Sequence, residues 1–260
     1  MLTCYDFATA RILDEAKIDC ILVGDTYGEV CLGYETTQRV KVDHLVTITE
    51  AVRRGAPYAY LVGDMPYLSY QISPEEAIRN AGKFIADAGC DCVKVEVDRR
   101  LATTVERMAA ATIPVMAHLG LKPQSIQSAG GYRVQGKKAG DAKQLIEDAK
   151  IMEEAGAVAL LLEAVPTEVA EHISEHTELP VIGICAGPRC DGQVLVFHDM
   201  VGYGGGHPPR SAKQYAQIHK PLLNAFHQFA TEVRDGVFPP MDTSPQMPED
   251  QKKLLQKLLT

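Results

Sequence analysis

No run of apolar residues in the chain approaches the ~20 that a membrane-spanning helix needs, so no membrane partner is expected. There is no surplus of basic residues either: 26 Lys and Arg stand against 34 Asp and Glu, a net charge of −8. Nucleic acids and anionic membrane surfaces demand a basic face, so this balance argues against both. A small anionic substrate stays open, because a few local cations or a metal are enough to hold it. Residues 1–13 have no basic stretch leading into an apolar run, so no secretory leader is read and a cytoplasmic protein is expected. The seven cysteines are odd in number and scattered through apolar runs. They do not form a disulfide framework, and they suit buried free thiols in a reducing compartment. Neither an internal repeat nor a low-complexity tract is visible. No Gly-x-Gly-x-x-Gly opens the first helix, so nothing supports a dinucleotide-binding fold.

What the chain does have is rhythm. Its 260 residues are close to the ~250 typical of one (β/α)8 barrel. Short β-rich runs alternate with helical ones. Strands are expected at 3–6, 20–25, 58–64, 92–97, 114–119, 159–165 and 180–186, and helices at 42–54, 73–88, 101–111, 141–155, 167–176 and 217–234. Leu45, Ile48 and Val52 share one helical face. Ser73-Pro74-Glu75-Glu76 is a helix start, with Ser as N-cap and Pro in the first turn, and Gly89 and Gly156 are stops. The eighth strand is ambiguous. Residues 191–200 read as a strand, although Asp191-Gly192 also reads as a helix start, and 211–215 is the other candidate. The Gly-rich, polar stretch 125–138 is too long for a plain connection and is expected to be a functional lid. Serial βα units predict a parallel sheet with crossover helices, and apolar strands fit burial on both faces. The expected fold is therefore a closed (β/α)8 TIM barrel over residues 1–238, with a Pro-rich linker and short helix at 239–260. A doubly wound open sheet is the rival.

Polar residues recur where these strands end. Asp25 and Thr26 follow one strand and Asp64 ends another. Lys94 and Glu96 lie two apart on CVKVEV and so share a face. His118 lies near the end of PVMAHLG, and Glu163 near the end of ALLLEAV. In a barrel those ends converge on one mouth, where active sites lie. Clustered carboxylates there call for a cation. The hard-oxygen set Asp25, Asp64 and Glu96 suits Mg2+, which takes few protein carboxylates and keeps water and substrate oxygens. Such a metal would chelate a 2-oxo acid and stabilise its enolate, with Lys94 adding positive charge. Each residue also has a structural reading: Asp64 as a helix cap, Lys94 with Glu96 as an ion pair, His118 as a satisfied core histidine, Glu163 as a first-turn charge. Four such coincidences at equivalent strand ends weigh less than one shared site.

Other patterns are read as structural. His172, Glu175 and His176 match H-x-x-E-H but lie on a crossover helix without a third ligand. Gly202-Tyr-Gly-Gly-Gly206 lacks the Lys-Ser/Thr ending of a phosphate loop and reads as a turn. Arg53 and Arg54 end a helix, where cations favour its dipole. Cys90 and Cys92 should face opposite ways, so a shared metal is not expected.

The motifs LVGDTYG (22–28), AVRRGAP (51–57), VKVE (93–96), AHLGLKPQS (117–125), GGYRVQGK (130–137), LLLEAVP (160–166), PVIGICAG (180–187) and DGQVLVFHD (191–199) follow one another along nearly the whole chain. In this order the sequence resembles the ketopantoate hydroxymethyltransferase family. The resemblance implies a TIM barrel of the phosphoenolpyruvate/pyruvate superfamily that self-associates as a homodecamer. It implies Mg2+ held by Asp25 and Asp64, with Glu96 reached through water. Lys94 and His118 match positions that contact substrate, Thr26 stands where a serine usually bonds the substrate carboxylate, and Glu163 matches an acid–base carboxylate. The implied reaction moves a hydroxymethyl group from 5,10-methylenetetrahydrofolate to 3-methyl-2-oxobutanoate through a Mg-stabilised enolate. The product is 2-dehydropantoate, on the way to pantothenate and coenzyme A.

The sequence departs from the family pattern at Thr26, Glu29, Cys185 and 208–211. It also begins close to its first strand, and its extension beyond Pro240 is unusual. These departures keep two alternatives in view: a related metal-dependent aldolase or lyase acting on another 2-oxo acid, and a non-catalytic paralogue that binds an oxo acid.

Overall fold

The computed structural model describes residues 1–126, 131, 133–204, 209 and 211–260. The middle of the expected lid, the end of the turn at 202–206, and positions 208 and 210 lie outside the described residues. The chain divides into two compact units, Met1–Tyr215 and Ala216–Thr260.

The first unit holds eight parallel strands among its described residues, each paired with the next: β1 Leu2–Thr3, β2 Cys20–Val23, β3 Tyr60–Asp64, β4 Cys92–Glu96, β5 Val115–Gly120, β6 Ala159–Glu163, β7 Val181–Ile184 and β8 Gly192–Gln193. The order never reverses, as it would in a doubly wound sheet. A parallel bridge between Leu2 and Leu195 joins the two ends of the sheet, with Thr3 N donating to Leu195 O at 3.1 Å. The sheet is a closed barrel.

The helices between the strands largely follow the sequence signals. They are α1 Phe7–Glu15, α2 Tyr27–Val30, α3 Val42–Gly55, α4 Pro74–Gly82, α5 Ala102–Ala110, α6 Ala139–Glu154, α7 Thr167–Glu175 and α8 Phe197–Val201. The Ser73 hydroxyl accepts from Glu76 N at 3.2 Å, as a cap should. Beyond α4 a wider turn, Lys83–Asp87, carries the chain to Gly89 at φ +71°. The sequence reading did not anticipate α1. Only Ala10 and Leu13 of its nine residues are buried, so its apolar periodicity is thin, and its start is marked by Asp6, which accepts from Thr9 N at 2.8 Å. The eighth strand resolves the ambiguity at 191–200: two residues of strand come first, then α8. Residues 211–215 are not a strand, and Tyr215 N instead donates to Met200 O at 2.8 Å.

Strand alternation sorts the core into two layers. Outward residues such as Ile21, Leu61, Val93, Val95, Leu160 and Leu162 pack with the helices. Inward residues Leu22, Val62, Cys92, Met116, Ala159, Leu161 and Val194 form an apolar plug inside the barrel. Cys90 belongs to the outer layer and Cys92 to the plug, so the two face opposite ways. Two residues above the plug on each strand, the same inward face carries Asp64 after Val62, Lys94 after Cys92, His118 after Met116 and Glu163 after Leu161. The period of two that buries the lower positions therefore aims the upper ones into the mouth.

At the opposite end, Arg53 does more than face a helix dipole. Its guanidinium donates to the carbonyls of Ala56, Pro57, Ala59 and Gly89 and pairs with Asp91. Asp91 in turn accepts from Leu61 N at 2.7 Å. The end of α3 is thus tied to the entries of β3 and β4.

The second unit contains α9 His219–Arg234 and α10 Glu249–Leu259, with the rings of Phe229 and Phe238 meeting edge-on at 5.5 Å. No helix among the described residues is long and apolar enough to cross a membrane.

Candidate active site

Register places the polar residues beside one another. Asp64 is the partner of Lys94 across β3 and β4, Glu96 of His118 across β4 and β5, and Gly120 of Glu163 across β5 and β6. Lys94 Nζ lies 2.8 Å from Asp64 Oδ1, and Asp64 Oδ2 accepts from Asp25 N at 3.0 Å. His118 Nδ1 is 3.4 Å from Lys94 Nζ and 4.0 Å from Glu96 Oε1. On its other side, His118 Nε2 lies 3.3 Å from Glu163 Oε2, a close polar contact that falls short of hydrogen-bond geometry. Asp25, Thr26, Asp64, Lys94, Glu96, His118 and Glu163 all line one cavity in the barrel mouth, together with Leu22, Leu161, Ile184, Val194 and Val196. Thr26 occupies the cap position of α2, yet its hydroxyl makes no capping bond.

Glu163 is set by its backbone. Leu121 N donates to Glu163 O at 2.8 Å, and Ala164 at φ +49° turns the chain immediately after it. The Glu163 side chain keeps 20% exposure, while those of Asp64, Lys94, Glu96 and His118 are at 5% or less. It is nearer solvent than those four, which suits proton exchange with an incoming group.

The cavity is short of positive charge, with four carboxylates to one lysine. Burial pushes the Asp64 carboxyl up to about 7, with Lys94 opposing and Asp25 adding to the rise. Burial also lifts Glu96 well above the carboxylate range, reinforced by Asp25. Burial disfavours the charge on Lys94, but Asp64, Asp25 and Glu96 outweigh it and hold the ammonium form. His118 is lowered, first by burial and then by Lys94, so its ring is neutral near pH 7. Lys94 only donates, so a neutral His118 accepts at Nδ1 and presents its N–H from Nε2 toward Glu163.

This set fits a divalent cation, though not as a complete cage. Among the described residues no three His, Cys, Asp or Glu side chains converge as a metal cluster. Both Glu96 oxygens face the backbone N–H of Gln124. Mg2+ needs only one or two carboxylates and keeps its waters, and Asp25 beside Asp64 offers that pair. The unbalanced negative charge gives the cation a reason to bind.

Of the family departures, Thr26 lines the cavity, whereas Glu29 and Cys185 do not. Cys185 has φ +53°, and its Sγ lies 2.6 Å from Ser211 Oγ. The H-x-x-E-H pattern brings no ligands together. His172 on α7 and His176 just past its end stack at 4.1 Å, and His176 Nδ1 lies 2.8 Å from the His172 carbonyl. Two buried residues at the site went unnoticed in the sequence, Tyr70 and Gln124. Both lie in connections between strands and helices, where no spacing points to them.

Comparison with known proteins identifies the family. A family model described as ketopantoate hydroxymethyltransferase matches residues 1–241. The 3-methyl-2-oxobutanoate hydroxymethyltransferase of Halalkalibacterium halodurans is 50% identical over 242 residues, 93% of this chain and 87% of the relative. The protein of the same name from Bacillus cereus (strain ATCC 10987) is 47% identical over 251 residues, 96% of this chain and 90% of the relative. Among solved structures, a phosphonopyruvate hydrolase is similar with a TM-score of 0.61 at 12% identity, covering 99% of this chain and 90% of that one. A 2,3-dimethylmalate lyase of the PEP mutase/isocitrate lyase superfamily gives 0.59 at 15% identity, covering 100% and 92%. At such identities the structures speak to the fold alone.

Proposed function

The chain belongs to the ketopantoate hydroxymethyltransferase family, and from that premise we propose that it transfers a hydroxymethyl group from 5,10-methylenetetrahydrofolate to 3-methyl-2-oxobutanoate. The product is 2-dehydropantoate, which feeds pantothenate synthesis. The observation that carries this reading is the meeting, in one buried cavity, of the Asp25–Asp64–Lys94 group with the His118–Glu163 pair.

Each residue has a task there. Lys94 places a fixed positive charge beside the cavity, where the carboxylate and keto oxygens of an oxo acid bind. The Thr26 hydroxyl is available to the substrate carboxylate. Leu22, Leu161, Ile184, Val194 and Val196 offer the substrate's isopropyl group an apolar wall and exclude water from it. Glu163, beside neutral His118, moves a proton at the carbon that accepts the one-carbon unit. A divalent cation such as Mg2+, held by Asp25 and Asp64 with Glu96 beside them, would supply Lewis acidity at the keto oxygen.

The test is exchange of the C3 proton of 3-methyl-2-oxobutanoate into D2O, followed by NMR with Mg2+ and without folate. Exchange that EDTA abolishes supports the reading. Folded protein that catalyses no exchange overturns it, and repeating the measurement with pyruvate and 2-oxobutanoate then separates a related lyase from a protein that only binds.

A further inference from the structure

Gln124 follows β5 in the turn Pro123–Ser125, and it is 1% exposed. Its side chain and backbone reach two carboxylates at once. Gln124 Nε2 donates to Asp25 Oδ2 at 2.9 Å and to Met65 O at 3.0 Å. Its backbone N–H is shared between Glu96 Oε1 and Oε2 at 3.3 and 3.1 Å. Its Oε1 accepts from Tyr70 Oη at 2.9 Å and from Gln71 Nε2 at 3.2 Å. A carbonyl can only accept, so Met65 O fixes which end of the amide is nitrogen, and that end therefore donates to Asp25. The Asp25 carboxylate is thereby engaged at Oδ2. Tyr70 completes the frame: its hydroxyl accepts from Glu96 N at 2.9 Å and lies 3.0 Å from Glu96 O.

We propose that Gln124, braced by Tyr70, is the positioning residue that holds Asp25 and Glu96 in register for the divalent cation. This rests on the reading of Asp25 and Asp64 as the cation's ligands. One amide plane fixes the Asp25 carboxylate by one oxygen and leaves the other to the metal. The same residue's backbone keeps Glu96 facing the site. Partners that orient ligands in this way typically govern metal affinity by about ten- to a hundredfold.

The experiment is calorimetric titration of metal-stripped full-length protein with Mn2+. Wild type is compared with Gln124→Met, which keeps length and volume but loses both donors, with Tyr70→Phe, which loses only a hydroxyl, and with Asp25→Asn. Circular dichroism confirms that each variant is folded. The expected result is a Mn2+ Kd raised by about tenfold or more in Gln124→Met and by a smaller factor in Tyr70→Phe. In steady-state assays the Mg2+ concentration for half-maximal rate shifts in parallel. Should Gln124→Met not fold, Tyr70→Phe carries the test. Folded variants that bind Mn2+ as wild type does, beside an Asp25→Asn that does not, overturn the role of Gln124 and leave the metal reading standing. A wild type that binds no Mn2+, or an Asp25→Asn that binds it undiminished, overturns both.

Discussion

Gly120 faces Glu163 across β5 and β6 so closely that a Cβ on Gly120 would lie 2.2 Å from the Glu163 carbonyl oxygen. The position also has φ +94°, a region that side-chain-bearing residues avoid. Glycine is required twice over here, and its absence would push back the strand end that presents Glu163. Gly120→Ala is expected to cost about 2–3 kcal/mol or more in urea unfolding, and to lower the kcat of the folded fraction. A variant with wild-type stability and kcat would show that the β6 end yields without consequence.

Glu163 and Asp64 should separate chemistry from binding. Glu163→Gln keeps the shape beside His118 but removes the proton carrier, so kcat is expected to fall by about a hundredfold or more while Mn2+ affinity stays near wild type. Asp64→Asn removes a carboxylate from the Asp25 pair and is expected to abolish cation-dependent proton exchange. Calorimetry and NMR exchange on the two variants check both statements, and an unchanged kcat in Glu163→Gln would remove it from the acid–base role.

Asp98 lies at the edge of the mouth, bound by Arg100 and Lys122. Hydrogen bonds from Arg100 hold its carboxyl well below the usual range, partial burial opposes them, and Lys122 adds to the lowering. A depressed carboxyl stabilises the fold fully above its unfolded value, near about pH 4, and the contribution is lost as pH falls through the folded value. The Tm gap between wild type and Asp98→Asn should therefore be constant from about pH 5 upward and close below about pH 4. A gap that widened in acid would contradict this linkage.

Arg53 gives a control away from the mouth. Arg53→Ala strips the donors from four carbonyls and removes the cation beside Asp91, so a loss of about 2–4 kcal/mol is expected in chemical denaturation. The kcat of the folded protein should be untouched. A fall in kcat with stability unchanged would mean that the lower rim of the barrel communicates with the mouth.

The polar set in the barrel mouth was legible in the sequence because a strand's period of two is visible in it. Cys92, Lys94 and Glu96 must share a face, and an acid or imidazole closing an apolar run stands out. Gln124 and Tyr70 were not legible for the opposite reason. Gln124 meets Asp25 across 99 residues and Tyr70 meets Glu96 across 26, both from irregular connections. No local period encodes such meetings. Their place at strand ends, taken without the family resemblance, groups Asp25, Asp64 and Glu96 as three equal acids. In the fold Glu96 is turned to a backbone N–H and Asp64 is paired with Lys94, distinctions that only three-dimensional contacts create. The eighth strand stayed ambiguous between 191–200 and 211–215 because its two residues, Gly192 and Gln193, are too few to show alternation.

The bridge between Leu2 and Leu195 has a meaning for the newly made chain. Thr3 leaves the ribosome 192 residues ahead of its hydrogen-bond acceptor, an interval of roughly ten to forty seconds at common rates of synthesis. For that time the edge of β1 lacks a partner on one side and is open to pairing with a neighbouring nascent chain. The ring is completed by a handful of bonds between the earliest and the latest parts of the barrel to be translated. Until Leu195 has been made, the edge of β1 cannot close the ring, so the barrel is finished only after nearly all of its strands have been synthesised.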